Sequence, residues 1–539
     1  MRNFTRTVPR RGGGGLDPPA LAIVPVVAAP EPVVLAVDAG TTGVRTQAFD
    51  RRGTEVDRSY RELTQHFPRP GWVEHDADEI WTLVAETLAE VVGRLDGAGR
   101  TPAALGITNQ RETVVAWDRR TGRPRYRALV WQDRRTAGRC DELVRRGYLP
   151  LVRARTGLVL DPYFSATKMH WLLTEGGVED GPDLALGTVD SWLLWHLTGG
   201  TDGGRFATDV SNASRTSLLD VSTRRWSDEL CDVFGVPAGA LPEVRPSCGR
   251  FGTVHPSVAG GGPLAGVAVG GMAGDQHAAL FGQACFDPGM VKVTYGTGSF
   301  VLMHAGPTCP APADGLLTTL AWELDADIAG ASGVSPVSYA LEGSVFASGA
   351  AVQWLRDGIG VIDRSEDLEP LARTVGSSEG VVVVPAFTGL GSPHWDPYAR
   401  GTVVGLSRGS TRAHLARAVV EAMSFQVADV VAAMEAAVGV RPPVLRVDGG
   451  ASVMDLLLQL QADQTRVRVA RPRSIETTGF GAAALAGLAV GVWGTLGDLR
   501  ALWTEDASFD PSVPDADAVV ARQAWTRALG RSREWVEPG

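Results

Sequence analysis

The sequence predicts an α/β protein that folds as two large domains with a cleft between them. Patterns typical of strands alternate with patterns typical of helices along the chain, as in α/β proteins. Each half of the chain opens on the same unit, a strand, a Gly/Thr turn and a returning strand, which indicates a duplicated architecture. At 539 residues the chain is also too long to form a single core.

Composition and charge exclude several classes of protein. Hydrophobic residues make up 44% and charged residues 21% of the chain, as in ordinary globular proteins. The net charge of -10 argues against nucleic acid or an anionic membrane surface as the main partner. The five cysteines are scattered and form no CxxC pair, so we expect a reducing, cytoplasmic location and no metal cluster.

The N-terminal segment, Met1–Pro32, differs in composition from the rest of the chain. It holds four arginines and a run of four glycines, followed by an apolar stretch that prolines interrupt. That stretch is too short and too broken to span a membrane. We predict a disordered extension over residues 1–32 and no membrane insertion.

The first predicted domain, residues 33–283, opens on a strand and a polar hairpin tip. Val33–Val37 is a continuous run of apolar residues, typical of a buried strand. The run ends at Asp38, and the turn Gly40–Gly43 leads into a returning strand over Arg45–Asp50. Backbone N–H groups and hydroxyls at such a tip can bind phosphate. Asp38 then lies where a phosphate-bound Mg²⁺ needs an oxygen ligand.

Helices and strands alternate through the rest of this domain. The spacing of apolar residues predicts a helix over Asp78–Val92, a strand over Ala104–Thr108 and a helix over Val189–Leu197. Thr208–Thr216 is predicted to be a polar loop. We expect the boundary with the second domain in Gly282–Gly289.

A glycine-hinged turn near the end of the first domain, Met272–Ala279, carries one carboxylate between apolar segments. Asp275 stands beside the amide of Gln276 in this turn. A carboxylate shielded in this way can take a proton from a substrate hydroxyl. Alternatively, Asp275 only caps a helix that begins near His277, since Asp is a favoured capping residue. On this stretch alone, capping is the better interpretation.

The second predicted domain, residues 290–539, repeats the opening unit of the first. Val291–Thr294 and Phe300–Met303 are predicted strands, joined by a second Gly/Thr tip at Gly296–Gly298. Farther along, another strand ends in a third glycine turn at Gly449–Gly450. The second domain therefore offers two further turns that expose backbone N–H groups.

Two long helical patterns complete this domain. Ser410–Val438 has small and apolar residues on one stripe, which is typical of a helix packed on a core. Gly481–Gly491 consists almost wholly of Gly, Ala, Leu and Val. Such a helix permits close packing at a domain interface.

Two hairpin tips, a glycine turn and a shielded carboxylate together suit a nucleoside triphosphate that lies between domains. The sequence contains neither a P-loop nor a dinucleotide-binding fingerprint in the right context. Phosphoryl transfer needs positioned phosphates, Mg²⁺ and a base on the attacking hydroxyl. A hinged cleft that closes on its substrate also excludes water.

Dense local motifs make the interpretation specific. They are Thr64–His75, Gly106–Thr113, Val130–Thr136, Thr156–Ser165, Asn212–Thr216 and Pro385–Gly391. On these motifs the chain, from about Val33 to the C-terminal region, resembles the FGGY family of carbohydrate kinases, and within it the members that phosphorylate glycerol. The resemblance implies two actin-like, ribonuclease H-like ATPase domains with a cleft between them. It also implies ATP and Mg²⁺ as cofactors, ADP and sn-glycerol 3-phosphate as products, and a homodimer or homotetramer.

The resemblance also assigns roles to residues. Asp275 would be the general base on the terminal hydroxyl of glycerol, and both Asp38 and Asp275 would lie near Mg²⁺. The residues implied to bind glycerol are Arg111, Glu112, Trp131, Tyr163, Asp275, Gln276 and Phe300. The residues implied to contact the nucleotide are Thr41, Thr42, Arg45, Gly296, Thr297, Gly349, Gln353 and Gly450. Alternatively, Arg111 and Glu112 form a structural ion pair, and Trp131 and Phe300 belong to the core.

Departures from the family pattern fall mostly on the nucleotide side. The family usually has Gln and two Ser in the first tip and Asn after the third turn; in this chain those positions hold Ala39, Gly43, Val44 and Met454. His277 stands where a second Gln is usual. We therefore predict glycerol recognition with altered nucleotide affinity or donor preference. The loop after Ser247 lacks the Gly/Arg pattern of fructose 1,6-bisphosphate sites, so we expect no inhibition by that sugar.

Two rival functions stay open at this point. One is another polyol or sugar kinase of the same family. The other is a glycerol-binding regulatory homologue with weak catalysis, which the altered nucleotide loop favours and the retained Asp38 and Asp275 disfavour.

Overall fold

A computed structural model of the chain describes residues 31–258 and 262–536. The predicted extension over residues 1–32 therefore lies almost entirely outside the described residues. Its last two residues, Glu31 and Pro32, already belong to the first strand, which begins two residues earlier than predicted. None of the helices in the described ranges is both long enough and apolar enough to cross a membrane.

Strands occur along the whole described chain. In chain order they are β1 (Glu31–Ala39), β2 (Gly43–Phe49), β3 (Glu55–Glu62), β4 (Glu74–His75), β5 (Arg100–Asn109), β6 (Val114–Asp118), β7 (Ala128–Leu129), β8 (Leu184–Thr188), β9 (Ala207–Asp209), β10 (Leu219–Asp220), β11 (Arg225–Trp226), β12 (Glu243–Arg245), β13 (Cys248–Thr253), β14 (Ala268–Gly274), β15 (Val291–Tyr295), β16 (Ser299–Gly306), β17 (Leu317–Glu323), β18 (Val337–Val345), β19 (Val382–Val384), β20 (Thr402–Val404), β21 (Leu445–Asp448), β22 (Val469–Pro472) and β23 (Glu505–Phe509).

The α-helices lie between and beyond these strands. They are α1 (Ala77–Gly97), α2 (Ala137–Arg145), α3 (Leu149–Thr156), α4 (Ser165–Thr174), α5 (Val189–Leu197), α6 (Val210–Ala213), α7 (Asp228–Phe234), α8 (Asp275–Gly282), α9 (Ala326–Ser332), α10 (Gly349–Gln353), α11 (Leu368–Ala372), α12 (Arg412–Val438), α13 (Asp455–Thr465), α14 (Thr477–Val490), α15 (Leu496–Leu502) and α16 (Asp515–Ser532).

The central sheet of the first half has the strand order β13-β14-β5-β1-β2-β3. Strands β1 and β14 both run parallel to β5, and Ala39 and Gly274 both lie opposite Asn109, the last residue of β5. The carboxyl ends of three neighbouring strands therefore meet at one edge of the sheet. Ligands of open α/β sheets bind at such edges. This register brings together the residues that follow the three strands.

The central sheet of the second half repeats this arrangement in the order β17-β18-β16-β15-β21-β22-β23. Its hairpin, β15 and β16, corresponds to β1 and β2, and β15 runs parallel to β21, which runs parallel to β22. The predicted duplication is thus confirmed at the level of strand order. Each half places a hairpin tip and the end of a parallel strand side by side.

Helix α14 of the second half packs on the sheet of the first half, against β1, β5, β14 and α8. Glycines make this approach possible. A Cβ atom at Gly106 of β5 would lie 2.1 Å from the carbonyl oxygen of Ala482 in α14. A Cβ atom at Gly481 would lie 1.8 Å from the carbonyl oxygen of Ala278 in α8. The close packing predicted for this helix is confirmed.

The predicted polar loop over Thr208–Thr216 is wrong. The segment contains the end of β9 and helix α6, and every residue in it is buried. Asp209 caps α6 by accepting hydrogen bonds from the backbone N–H groups of Ser211 and Asn212, both at 2.9 Å. The polar side chains bond to one another rather than to water, so polar composition is misleading in this segment.

We predict that Gly106→Ala destabilises the protein, because the added methyl group must displace the backbone of α14. Overpacking of this kind costs about 1–3 kcal/mol. The free energy of unfolding, measured by urea denaturation, checks this. The control is Gly93→Ala on the exposed face of α1, where no atom lies within 4 Å of the added Cβ. That control should stabilise the helix by about 0.5–1 kcal/mol. Equal effects of the two substitutions would refute the packing argument.

Candidate active site

Asp275 lies at the carboxyl edge of the first sheet, where β14 ends and α8 begins. The residue that caps α8 is Gly274, and no side chain caps the helix. The carboxylate of Asp275 accepts the N–H of the adjacent Gln276 at 2.7 Å, and Arg111 Nε lies 3.2 Å from its Oδ1. Its side chain is 31% exposed. The interpretation of Asp275 as the capping residue is therefore wrong, and its second oxygen remains available to a ligand.

Beneath Asp275 lie two arginines and two glutamates that we call the ion cluster: Arg111, Glu112, Arg215 and Glu342. All four are at most 2% exposed. Glu342 accepts hydrogen bonds from both arginines, with Arg215 Nη2 at 2.9 Å and Arg111 Nη2 at 3.2 Å from Oε1. Arg215 Nε also donates to Glu112 Oε1 at 2.7 Å. The nearest approach of Arg111 to Glu112 is 4.0 Å, so these neighbours in sequence are not a tight ion pair.

The pKa values of the two glutamates of the ion cluster shift in opposite directions. Burial alone would raise the pKa of Glu342, but the guanidinium groups of Arg111 and Arg215 lower it to about 2. Burial raises the pKa of Glu112 despite the same two arginines. Glu342 is therefore the anion that both arginines share.

Aromatic side chains surround the outer end of Arg111. Arg111 Nη2 donates to the hydroxyl of Tyr163 at 3.2 Å, and its guanidinium lies 5.9 Å from the ring of Phe300. The rings of Trp131 and Tyr163 meet edge to face at 5.6 Å. Trp131 Nε1 donates to Thr41 Oγ1 at 2.9 Å, which joins this group to the first hairpin tip. Tyr163, Trp131 and Phe300 are half-buried, and Tyr163 and Phe300 also pack against core residues.

The two residues that follow Asp275, Gln276 and His277, both contact residues of the second half. Gln276 Oε1 accepts a hydrogen bond from Lys292 Nζ at 2.5 Å, and Lys292 is fully buried in β15. Burial lowers the pKa of Lys292. Burial, reinforced by Arg111, lowers the pKa of His277 well below its ordinary value. Neutral His277 contacts Thr319 Oγ1 through Nε2 at 3.2 Å. The histidine therefore packs behind the site as an uncharged residue.

The first hairpin tip closes with a hydrogen bond from Gly40 N to Gly43 O at 3.0 Å. Thr41 is half-buried and Thr42 is exposed. Arg45, which follows the tip, forms an ion pair with Glu476 at the start of α14. The guanidinium expected at the nucleotide is thus held by a carboxylate from the other half.

The second tip, the start of α10 and the third glycine turn lie together. Gly296 N donates to Gly298 O at 2.8 Å, and Gly349 N donates to Gly296 O at 3.0 Å. Gly449 adopts a φ of +85°, and a Cβ atom there would lie 2.5 Å from the carbonyl oxygen of Tyr295. Of the other predicted nucleotide contacts, Thr297, Gln353 and Gly450 are exposed. The residues of the predicted nucleotide group in the second half are therefore brought to one place.

Asp38 is the last residue but one of β1 and lies near Asp275 at the edge of the sheet. Burial, together with the carboxylates of Asp275 and Glu476 and against the effect of Arg45, raises the pKa of Asp38 to about 7. Within residues 31–258 and 262–536, no group of three or more metal-ligating side chains occurs. A pair of carboxylates fits Mg²⁺ carried by a nucleotide, because that ion takes one or two carboxylates and completes its shell with phosphates and water.

Two departures from the family pattern have structural explanations. A Cβ atom at Gly43 would lie 2.4 Å from the hydroxyl oxygen of Tyr60 and 2.5 Å from the carbonyl oxygen of Arg61, both on β3. Tyr60 therefore occupies the space of a side chain at position 43. Met454 is 8% exposed and belongs to the core of the second half. A residue buried there offers no polar group to a nucleotide.

Sequence reasoning misses several of these residues. Arg215 lies in the motif Asn212–Thr216, but the resemblance assigns it no role. Glu342 lies shortly before Gly349, which the resemblance assigns to the nucleotide, whereas the side chain of Glu342 contacts Arg111 and Arg215. Lys292, Glu476 and Tyr60 carry no local signal, since each acts through a partner distant in sequence or on a neighbouring strand.

A duplicated α/β fold with two glycine hairpin tips and a partly exposed carboxylate has the parts that a phosphoryl-transferring enzyme needs, namely sites for phosphates and a base. The chain matches the model of the N-terminal domain of the FGGY family of carbohydrate kinases over residues 33–282, and the model of its C-terminal domain over residues 291–490. The chain belongs to the FGGY family of carbohydrate kinases.

Several similar proteins are named glycerol kinases. The chain is 50% identical over 511 residues to a glycerol kinase of Bordetella parapertussis, covering 94% of this chain and 98% of the relative. It is 51% identical over 509 residues to a glycerol kinase of Trichlorobacter lovleyi, covering 94% and 99%. The crystal structure of Plasmodium falciparum glycerol kinase with ADP superposes with a TM-score of 0.86 at 32% identity, covering 93% of this chain and 98% of that chain.

The raised pKa of Asp38 predicts a specific pH dependence of stability. The folded protein holds a proton on Asp38 up to about pH 7, whereas an unfolded aspartate releases it near pH 4. The contribution of Asp38 to stability is therefore present below about pH 4 and is lost as the pH rises through about 7. In Asp38→Asn the side chain cannot ionise, so this loss of stability at higher pH does not occur.

In the absence of nucleotide and Mg²⁺, we compare the free energy of unfolding of Asp38→Asn with that of the wild type. The difference, variant minus wild type, should be near zero at pH 4. It should rise to at most about 4 kcal/mol above pH 7. Urea denaturation at several pH values measures the difference. A difference that does not change between pH 4 and pH 8 would contradict the raised pKa.

Proposed function

We propose that this protein is a glycerol kinase that transfers the γ-phosphoryl group of ATP to glycerol and forms sn-glycerol 3-phosphate. The observation that carries this proposal is the half-exposed Asp275 carboxylate, oriented by Arg111 beside Tyr163, Gln276 and two aromatic side chains. A triol needs several hydrogen-bonding groups and a short apolar wall, and this group of residues supplies both. The names of the relatives support the same substrate.

In the proposed reaction, Asp275 accepts the proton of the terminal glycerol hydroxyl as the oxygen attacks the γ-phosphorus. Oδ1 accepts the N–H of Gln276 and lies 3.2 Å from Arg111 Nε, so the other carboxylate oxygen can face the substrate. Arg111, Glu112, Tyr163 and Gln276 hydrogen-bond the glycerol hydroxyls in this proposal. Trp131 and Phe300 cover its carbon backbone, which positions the hydroxyl and excludes water.

The two hairpin tips bind the phosphates of ATP in this proposal. Thr41, Thr42 and Arg45 act from the first half; Gly296, Thr297, Gly349, Gln353 and Gly450 act from the second half. Mg²⁺ bound between the phosphates would neutralise charge that develops during transfer. Asp38 and Asp275 are the residues that would hold it. We accordingly assign glycerol and the first tip to residues 33–283, and most of the nucleotide site to residues 290–539.

The rival functions are less well supported. Another sugar kinase of the family would bind a longer chain, whereas the group around Asp275, with Trp131 and Tyr163 in edge-to-face contact at 5.6 Å, suits a small triol. A regulatory protein without catalysis would not need two carboxylates close to each other, because mutual repulsion makes that arrangement costly.

Other parts of the proposal concern the setting of the enzyme. The five cysteines are all unpaired, and four of them are buried, which suits the reducing cytoplasm in which we propose the enzyme works. The homodimer or homotetramer implied by the family resemblance stays a prediction.

We predict that Asp275→Asn lowers kcat for glycerol phosphorylation by about 10²–10⁴-fold, because the amide keeps the shape but cannot accept the proton. Glycerol-dependent release of ADP measures the rate. The control is Asp515→Asn, whose side chain is 85% exposed on α16 and which should leave the rate unchanged. Equal rates for Asp275→Asn and wild type would rule out the assigned base. Release that does not depend on glycerol in the wild type would refute the proposed substrate.

We predict that Gly43→Ala raises KM for ATP by roughly 10-fold or more and leaves KM for glycerol unchanged, because the methyl group displaces the first tip from β3. Adding Tyr60→Ala should restore KM for ATP only in part, since the carbonyl oxygen of Arg61 still lies 2.5 Å from the added Cβ. The control is Gly138→Ala in α2, where no atom lies within 4 Å. Equal increases of both KM values would contradict a role of this tip in nucleotide binding.

A further inference from the structure

Glu342 and Arg215 stand behind the residues to which the proposed function assigns glycerol binding. Both side chains are fully buried, unlike that of Asp275. We propose that Glu342 and Arg215 are positioning residues that set the orientation of Arg111 and Glu112 and thereby determine glycerol affinity and transfer. This inference rests on the proposed function.

The hydrogen bonds of Arg111 explain why Glu342 matters. Arg111 Nη1 and Nη2 both donate to the carboxylate of Glu342, and Nη2 also donates to Tyr163. With these groups occupied, Nε faces Asp275 Oδ1 at 3.2 Å, an ion-pair contact without hydrogen-bond geometry. A guanidinium has a fixed planar fork, so the bidentate contact with Glu342 determines where Nε points. Without Glu342, the strongest remaining anions for Arg111 are Asp275 and Glu112.

Arg215 fixes Glu112 in a comparable way. Arg215 Nε donates to Glu112 Oε1 at 2.7 Å, while Nη2 donates to Glu342 at 2.9 Å. Glu112 has a φ of +60°, a conformation that costs energy for residues other than glycine and needs support from its surroundings. The hydroxyl of Ser165 supplies further support by donating to the carbonyl oxygen of Glu112 at 3.0 Å. Arg215 thus holds a strained residue by its side chain.

Glu342 also connects the acceptor side with the phosphate side. It lies on β18 of the second half, whereas Arg111, Glu112 and Arg215 belong to the first half. In the register of β18 and β16, Val345 lies opposite Ser299, directly after the second hairpin tip. One strand therefore carries both the anion that orients Arg111 and a support of the tip. The ion cluster can keep the glycerol hydroxyl aligned with the phosphate that the tip binds.

The test compares Glu342→Gln, Glu342→Asp and Arg215→Lys with the wild type. Glu342→Gln keeps the shape but removes the charge that the arginines share. We expect KM for glycerol to rise by roughly 10- to 100-fold with a lowered kcat, and KM for ATP to change less than about 2-fold. Glu342→Asp, which keeps the charge, should recover part of the glycerol affinity. Arg215→Lys keeps one charge but not the fork and should raise KM for glycerol.

The matched control is Glu323→Gln on β17. Glu323 pairs with Arg224 at 3.2 Å and lies at the other end of the same strand pair, opposite Val337. It should leave both KM values unchanged. A purely structural role of Glu342 would reduce the amount of active enzyme without changing KM for glycerol, and that result overturns the proposal. If Glu342→Gln does not fold, Arg215→Lys decides by the same criterion.

The protection that glycerol gives against thermal unfolding separates this inference from the proposed function. We expect glycerol to raise the Tm of the wild type and of Glu323→Gln, and to raise that of Glu342→Gln only at much higher concentrations. A wild type that binds glycerol but does not phosphorylate it refutes the proposed function alone. Equal glycerol protection of the wild type and of Glu342→Gln refutes the positioning role alone.

Discussion

The parallel register of β1, β5 and β14 is the constraint on which the candidate site depends. Because Ala39 and Gly274 both lie opposite Asn109, three chain segments leave the sheet at one edge. Asp38, Arg111 and Asp275 are separated widely in sequence but lie within three residues of these strand ends. The glycines that admit α14 keep the edge in place, since they let the second half lie directly on the strands of the first.

Sequence patterns predicted the parts of the molecule that are encoded locally. Both hairpins, helix α5 and the tight helix α14 have signals within a few residues, and so does the turn at Asp275. The ion cluster has no such signal, because Arg111 and Glu342 are 231 positions apart and pair only after the two halves meet. The prediction for the polar segment Thr208–Thr216 failed for a related reason: most of its polar groups bond to other protein groups, which composition cannot indicate.

The structure shows contacts of the altered first tip that the sequence alone does not indicate. In the sequence alone, Gly43 indicates only that the first tip lacks the hydroxyl of a serine. In the fold, Tyr60 fills the vacated space, and its ring lies 5.7 Å from the guanidinium of Arg45. Arg45 in turn pairs with Glu476 of the second half. The change at position 43 is therefore coupled to a neighbouring strand and to the contact between halves, so nucleotide binding cannot be inferred from the tip alone.

The charged groups near the sheet edge differ in how well they are neutralised by their neighbours. Inside the ion cluster, two cations and two anions are paired, and Arg111 and Arg215 keep Glu342 ionised. At the edge itself, burial raises the pKa of Asp38, with a smaller contribution from the carboxylates of Asp275 and Glu476 and against the effect of Arg45. Uncompensated charge destabilises the free protein but is relieved when a cation binds to the folded state alone. The four buried groups thus pair with one another inside the protein, whereas Asp38 and Asp275 remain at the edge for the proposed ligand.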